Sequence, residues 1–368
     1  MQLSLTKLAR PGRSRVALNT YGLCIATLLA AGNPVMAQGG GVTHVDTVPA
    51  PSLRANLVGD PDRRAMTVYL PPSYNKRPLR RYPVVYLLHG FAADHRAFIR
   101  GAYQNLNIRL SMDSLIRAGE VGEMIVVTPN ARNAYDGSFY ANSPVTGNWE
   151  DFIVRDLVSF VDRRYRTVRS AKGRGIAGHS MGGHGALRIG MRNPEVFSAM
   201  YGMSACCLSL ASRPLNSEDT ANWRRVLAVD DREKFDKAGF LTHVYIAFAA
   251  VNSPNPQRAP LFVDLPYRLA GSELVVDSAV VARWGNGPLP TAAAYASNLR
   301  RMNIGFDAGT ADGFRDIPVN AAKLDSVLTQ LGIPHMFELY EGTHGSRIRS
   351  RLETKVLPFF SAKLGAVP

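Results

Sequence analysis

The chain has 368 residues, of which 46% are apolar and 20% are charged, and it contains only three cysteines. This composition excludes a chain that is disordered throughout and a small scaffold held together by disulfides. The sequence also lacks the Cys-x-x-Cys and His-Glu-x-x-His spacings of common zinc sites. The formal net charge of +14, from 43 Lys and Arg against 29 Asp and Glu, is its one unusual property.

Residues 1–37 have the pattern of an export signal. Four basic residues and no acidic one lie within residues 1–20, an apolar stretch covers 21–31, and the small residue Ala37 precedes Gln38. The apolar stretch is too short for a transmembrane helix, which needs about 20 residues. Cleavage after Ala37 would leave 331 residues with 39 Lys and Arg against 29 Asp and Glu, a net charge of +10. We therefore expect an exported protein, periplasmic or secreted, without an integral membrane segment.

Strands and helices are predicted to alternate after residues 38–60, which are rich in Gly, Pro and Val and are expected to form a loose leader into the fold. Apolar patterns predict strands over residues 66–70, 82–88, 124–127, 175–177, 197–204, 304–308 and 335–340, and helices over 148–165, 182–192, 318–331 and 347–362. Such alternation indicates an α/β fold, a mostly parallel sheet with helices on both faces, over residues 61–368. The alternation of predicted strands and helices stops at about residues 209–300. We interpret this region as a cap inserted between two core strands.

A nucleophile is predicted at Ser180, within the string Gly178-His179-Ser180-Met181-Gly182. This Gly-x-Ser-x-Gly motif alone is weak evidence for a nucleophile. Here it falls where a short strand turns into a helix, and such a sharp turn needs small residues around the serine. The turn would lift the hydroxyl clear of the sheet and leave the N–H of Met181 free at the start of the helix.

A serine hydroxyl needs a base that accepts its proton. His344 is the best candidate because it directly follows the last predicted strand, and Asp312 is favoured as its acid partner because it lies just past the end of the preceding strand. Asp307 is the alternative acid, although it falls inside that strand. The backbone N–H groups of Met181 and Phe91 are predicted to hold the oxyanion.

Four segments carry a family resemblance: residues 82–90, 174–183, 307–314 and 342–344. Together they resemble the esterase D-like (putative esterase) family of α/β-hydrolases, which includes S-formylglutathione hydrolases, feruloyl and other carboxylesterases and mycolyltransferases. The resemblance covers about residues 60–365 and is least at 209–300. It implies the α/β-hydrolase fold, the roles given above, and two residues near the acyl pocket, Tyr140 and Trp149.

Cys206 and Cys207 follow a predicted strand at the edge of the sheet where the active site is expected. Adjacent cysteines form a disulfide only with strain, so two buried thiols are the favoured interpretation.

The sequence as a whole predicts an exported serine carboxylesterase that needs no metal or organic cofactor. Its substrate would be a small-molecule or polymer-linked ester, and dispersed basic residues argue against a nucleic-acid partner. An acyltransferase with an acceptor alcohol, a thioesterase, and a binding protein with an inactive hydrolase fold are the alternatives. The acyl and alcohol specificity and the oligomeric state stay open.

Overall fold

The computed structural model describes residues 39–101, 103–209 and 217–365, so the predicted export signal lies outside the described residues. The strands are β1 (Val42–Pro49), β2 (Arg63–Leu70), β3 (Val84–Leu88), β4 (Ile125–Pro129), β5 (Asn142–Ser143), β6 (Gly147–Asn148), β7 (Arg174–His179), β8 (Ala199–Met203), β9 (Tyr267–Ala270), β10 (Glu273–Val276), β11 (Asn303–Gly309) and β12 (Met336–Tyr340). The helices are α1 (Ile108–Ala118), α2 (Trp149–Asp151), α3 (Val158–Arg164), α4 (Met181–Arg192), α5 (Ser217–Leu227), α6 (Arg232–Asp236), α7 (Phe240–Asn252), α8 (Ser278–Arg283), α9 (Pro288–Thr291), α10 (Ala296–Leu299), α11 (Asp316–Gln330), α12 (Ile348–Arg351) and α13 (Leu357–Lys363). Two π-helical segments, Phe152–Leu157 and Leu352–Val356, join α2 to α3 and α12 to α13.

Eight strands form the central sheet, in the order β1-β2-β4-β3-β7-β8-β11-β12. Every pair from β4 to β12 is parallel, and β2 alone runs against its two neighbours. The predicted α/β fold is confirmed. Within the described residues, no helix is long and apolar enough to cross a membrane.

The apolar side chains of the central strands divide between two cores, one on each face of the sheet. In β3, Val84, Tyr86 and Leu88 belong to one core, whereas Val85 and Leu87 belong to the other. A strand covered on both faces must be apolar at every position, which explains the continuous apolar runs in the sequence. The carboxyl ends of the parallel strands consequently meet at one edge of the sheet, where the connecting loops can build a site.

The N-terminal segment departs from the sequence prediction, because residues 42–49 of the expected leader form β1. This strand pairs with β2 along its whole length, from Val42 opposite Leu70 to Pro49 opposite Arg63. The prediction was wrong because an edge strand needs little burial and so shows no apolar run. Val and Thr occupy five of the eight positions of β1, and this high content of β-branched residues could have indicated a strand.

The region between β8 and β11 adds no strand to the central sheet within its described part. It contains α5 to α10 and the separate hairpin β9–β10. Aromatic side chains form its centre: the Trp223 ring lies 4.5 Å from that of Tyr245 and 4.8 Å from that of Tyr267. Trp284 packs beside them and donates its indole N–H to Ser253 at 2.8 Å. We call this region the insertion.

Candidate active site

Ser180 stands at the sharp turn between β7 and α4. Its φ of 57° and ψ of −117° lie in a region that residues other than glycine rarely adopt, at a cost of about 1–3 kcal/mol. Two glycines make the turn possible: a Cβ on Gly178 would lie 2.3 Å from the backbone of Gly182, and one on Gly182 would lie 2.1 Å from the Leu88 carbonyl oxygen. The backbone N–H of Ser180 donates to the Met203 carbonyl at 3.0 Å. The surrounding structure therefore holds the half-buried serine in a strained turn.

Phe91 and Met181, the predicted oxyanion donors, lie side by side. A Cβ on Gly137 would be 2.4 Å from the Phe91 ring and 2.7 Å from the Met181 sulfur, so both side chains contact the same glycine. Met181 is the first residue of α4, where the N–H has no partner within the helix. Neither N–H group donates a hydrogen bond to another residue that the structure describes. Both are therefore available to a ligand.

His89 supports the loop that carries Phe91. Its Nε2 accepts a hydrogen bond from the backbone N–H of Ala131 at 2.9 Å, and its Nδ1 lies 2.8 Å from the Gly90 carbonyl oxygen. Nδ1 must therefore carry the ring proton. Burial lowers the pKa of His89 to about 4, which keeps the ring neutral at pH 7. This histidine has a structural role in the loop.

The structure brings Asp312 and His344 together. Their Oδ2 and Nδ1 atoms are 2.7 Å apart, with the Asp312 side chain fully buried and the His344 ring 22% exposed. The backbone N–H of Phe314 donates to the other Asp312 oxygen at 2.8 Å. A carboxylate on Nδ1 leaves Nε2 of the neutral ring as a proton acceptor.

Ser180 lies in the wall of a cavity that reaches as far as Phe314, a neighbour of His344. Phe314, whose ring lies 5.0 Å from that of His344, also lines the cavity onto which Ser180 opens. No hydrogen bond between the Ser180 hydroxyl and His344 is formed within the described chain. Catalytic hydrogen bonds are often long before substrate binds, so this geometry is compatible with a serine–histidine pair.

Asp307, the alternative acid, makes its hydrogen bonds within the core instead. Its Oδ2 atom accepts from the Arg351 guanidinium at 2.9 Å and from the Tyr201 hydroxyl at 3.0 Å. Arg351 also binds Glu338 at 2.9 Å. Asp307 therefore joins the central sheet to the C-terminal helices, and Asp312 is the carboxylate that reaches His344.

His179 connects the nucleophile turn to the loop of His344. Its Nε2–H donates to the backbone carbonyl of His344 at 2.9 Å, and the two rings lie 4.8 Å apart. Burial, and secondarily the charge of His344, lower the pKa of His179 to about 3, so the ring is neutral. Sequence analysis did not assign this role, because the sequence does not show that the two loops meet.

We expect His179→Leu to lower kcat about 10- to 100-fold with little change in KM, because the loop that carries His344 loses its anchor. His179→Gln keeps a donor at nearly the same place and should recover most of the activity. The measurement is kcat and KM for each variant, with unfolding temperatures to detect a general loss of structure. Equal losses in the Leu and Gln variants would contradict a positioning role.

The cavity beside Ser180 is small and apolar, with a volume of about 110 Å³. The other residues in its wall are Phe91, Phe139, Cys206, Cys207, Phe240, Leu241, Val244, Tyr245, Phe248, Phe314, Asp316 and Ile317. Phe240 and Phe314 are 52% and 39% exposed, and their rings lie 6.2 Å apart. Helix α7 of the insertion supplies five of these residues. Sequence analysis missed them because α7 is apolar on nearly every side, so its pattern does not reveal which side faces the site.

Tyr140 and Trp149, which the family resemblance implies to be near the acyl pocket, are core residues and not part of the cavity wall. The Tyr140 hydroxyl donates to the His89 carbonyl at 2.9 Å, which supports the loop before Phe91. Trp149 is fully buried and donates its indole N–H to the Thr146 carbonyl at 2.7 Å. Phe139, the residue directly before Tyr140, is part of the cavity wall.

Cys206 and Cys207 are free thiols, but they are half-buried and face the cavity, whereas the sequence favoured complete burial. The loop after β8 turns back toward Ser180, since the N–H of Cys206 donates to the Ser180 carbonyl at 3.2 Å. This turn exposes both residues to the space beside the nucleophile.

A polar contact ties the insertion to the loop that follows β4. His243 on α7 has Nδ1 2.7 Å from the Asp136 carboxylate and Nε2 2.7 Å from the Phe235 carbonyl oxygen. Both ring nitrogens of His243 therefore face a hydrogen-bond acceptor. Asp136 also binds Arg132, and its backbone carbonyl accepts from the N–H of Ala92 at 2.9 Å. The contact therefore reaches the loop of the oxyanion donors.

Stability should depend on pH through Asp136. Burial alone would raise the pKa of Asp136, but hydrogen bonds from His243 and Arg132 outweigh burial and lower it. A lowered pKa in the folded state means that the contribution is complete above the ordinary value of about 4 and is lost at more acidic pH. We expect Asp136→Asn to cost about 1 kcal/mol at pH 7, and this difference from wild type should shrink as the pH falls below 4.

Denaturant unfolding of both proteins from pH 3 to pH 7 measures that difference. Asp62→Asn is the matched control, because it removes a carboxylate from an exposed pair with Arg54. A difference for Asp136→Asn that stays constant across this pH range would contradict the prediction.

Comparison with known proteins identifies sequences and a structure that resemble this chain. The sequence model of the family described as Putative esterase matches residues 61–347. Esterase Rv1288 of Mycobacterium tuberculosis strain ATCC 25618 / H37Rv is 34% identical over 128 residues, 33% of this chain and 25% of that protein. An endo-1,4-beta-xylanase/feruloyl esterase of Xylanibacter ruminicola is 32% identical over 139 residues, 35% of this chain and 18% of that protein. The chain thus spans a quarter or less of the length of these two relatives.

A solved structure of a ferulic acid esterase is similar over most of the fold. It aligns with a TM-score of 0.60 and 24% identity, covering 89% of this chain and 99% of that chain. At this identity the similarity shows the α/β-hydrolase fold.

Proposed function

Because the chain belongs to the putative esterase family, we propose that it is a serine hydrolase that cleaves carboxylic esters. The observation that carries the proposal is the strained Ser180 at a strand-to-helix turn, beside an apolar cavity. The Asp312–His344 pair lies next to this cavity, since the His344 ring is 5.0 Å from that of Phe314 in the cavity wall. Backbone strain of this kind persists only where the surrounding structure enforces it, and it is concentrated at functional sites. The names of the relatives support the same reaction class.

In the proposed mechanism the Ser180 oxygen attacks the ester carbonyl while His344 Nε2 takes its proton. Asp312 orients the ring and stabilises the imidazolium that forms. The backbone N–H groups of Phe91 and Met181 bind the oxyanion, and the alcohol leaves with the proton from His344. Water then attacks the acyl-enzyme, gives its proton to His344, and releases the carboxylic acid and the free serine.

The cavity favours an apolar acyl group, and flat aromatic acyl groups in particular. Its wall contains aromatic rings from four parts of the chain, including Phe91, Phe240 and Phe314, with the Phe91 and Phe240 rings 5.6 Å apart. Aromatic pairs at such distances bind a further ring by stacking or edge contacts. The feruloyl esterase among the relatives is consistent with this choice, and the ester alcohol would extend toward solvent.

Export is a further part of the proposal and depends on residues 1–37. The basic start, the apolar stretch and Ala37 match a cleavable signal. The mature chain would then begin shortly before β1, with the hydrolase domain and its insertion acting on esters outside the cytoplasm.

A panel of esters tests the proposal. We expect hydrolysis of p-nitrophenyl acetate and methyl ferulate, with higher kcat/KM for apolar or aromatic acyl groups than for charged ones. Product that forms only when an acceptor alcohol is added would instead identify an acyltransferase. If no ester is cleaved and a fluorophosphonate probe does not label the protein, the chain is not an active serine hydrolase.

A further inference from the structure

Two adjacent thiols, Cys206 and Cys207, face the cavity of Ser180 together. Consecutive residues of an extended chain point in opposite directions. Here both line the same cavity, because the backbone turns at Cys207 with a φ of 56°, in the left-handed region that residues other than glycine seldom adopt. The pair is thus held in a conformation that an ordinary loop would avoid.

The backbone around the two thiols is fixed from both sides. The N–H of Cys206 donates to the Ser180 carbonyl at 3.2 Å, and Nδ1–H of His184 donates to the Cys207 carbonyl at 3.2 Å. Burial lowers the pKa of His184 to about 3, so its ring is neutral. The pair therefore cannot move away from the nucleophile without breaking these contacts.

The Cys207 thiol is held in its protonated form. A hydrogen bond with Cys206, and secondarily burial, raise the pKa of the Cys207 thiol well above its ordinary value. A protonated thiol is a poor nucleophile, so this residue should react slowly with alkylating reagents. A reagent that binds both sulfur atoms at once suits this pair better than an alkylating reagent, which reacts with one thiol.

A direct disulfide does not suit these residues. Neighbouring Cα atoms are about 3.8 Å apart across a trans peptide bond, whereas disulfides join Cα atoms about 4.4–6.8 Å apart. A third atom between the two sulfurs would lengthen the bridge and relieve that strain. Thiolates prefer soft partners, and trivalent arsenic accepts two sulfur ligands beside one other substituent.

We propose that Cys206 and Cys207 form a dithiol site, within the cavity of Ser180, for trivalent arsenicals that carry one organic group. With an arsenic oxide of this class, two arsenic–sulfur bonds form and the arsenic–oxygen bond breaks. The two thiol protons leave with the oxygen as water, and arsenic stays trivalent. The organic group then lies among the aromatic side chains of the cavity and excludes the acyl group of an ester.

Phenylarsine oxide tests the proposal on the full chain. Intact mass spectrometry should show one phenylarsenic group per chain, with loss of esterase activity that 2,3-dimercaptopropanol restores. Cys206→Ser and Cys207→Ser should each abolish stable uptake, because one thiol cannot form the bridge. Cys24→Ser is the matched control and should respond as wild type does. Each variant's activity is compared with its own untreated sample.

Stable uptake by either single variant, or none by wild type, would overturn the dithiol site. Uptake without loss of activity would overturn its place in the cavity. The inhibition measurement rests on the proposed function, but mass spectrometry does not. A chain without esterase activity that still takes up one group through both cysteines would contradict the function and support the site.

Discussion

Ser180→Ala is expected to lower kcat/KM for p-nitrophenyl acetate by at least about 10⁴-fold and to abolish labelling by a fluorophosphonate probe. The variant loses the only atom that can form the acyl-enzyme in the proposed mechanism. Because Ser180 occupies a strained backbone conformation that alanine shares, the stability should change little. Unfolding temperature and secondary structure measured beside activity would separate a chemical loss from a structural one.

Ser170→Ala is the matched control for this experiment. Ser170 is exposed and its side chain makes no capping hydrogen bond, so the variant should keep wild-type activity and labelling. Labelling that persists in Ser180→Ala would assign the nucleophile to another residue.

Asp312→Asn is expected to lower kcat by about 10⁴-fold with KM nearly unchanged. An asparagine amide can donate to Nδ1 of His344, which would place the ring proton on Nε2 and remove the base that faces Ser180. The Asp312 side chain is fully buried against His344, so no water can substitute for the lost carboxylate there. Steady-state kinetics at several pH values measure the effect.

Asp307→Asn makes the comparison decisive. It breaks the buried contacts with Arg351 and Tyr201, so we expect a stability loss of about 3–5 kcal/mol and much less effect on kcat while the protein is folded. A larger loss of kcat in Asp307→Asn than in Asp312→Asn, at a temperature where both are folded, would reverse the assignment of the acid.

The parallel core of the fold could be predicted because buried strands leave an unmistakable pattern. β3 and β4 are apolar at nearly every position, and each predicted strand of the core lies within three residues of the observed one. β1 was missed for the opposite reason, since an edge strand in contact with solvent has no such pattern. Secondary structure at the sheet edge depends on a partner, β2, that the local sequence does not reveal.

The chemical residues of the site could be proposed from the sequence, whereas the binding residues could not. Ser180, Asp312 and His344 each follow a predicted strand, so topology alone places them at one edge. Phe240 and Phe248 lie in the cavity wall because the insertion folds back over the site. That arrangement depends on long-range packing around Trp223, which the local sequence does not reveal. Tyr140 is buried in the core directly after Phe139 of the cavity wall, and the sequence does not distinguish an aromatic residue buried in the core from one that lines a cavity.

In the proposed enzyme, helix α7 would control the choice of acyl group independently of the reacting groups. The reacting groups are all attached to the central sheet, but one helix from outside that sheet supplies five side chains of the cavity wall. Substitutions at Phe240, Val244 and Phe248 can therefore reshape the acyl site while the backbone around Ser180 stays in place. Directed evolution confined to these three positions could therefore select variants with new acyl preferences without disturbing the groups that carry out the chemistry.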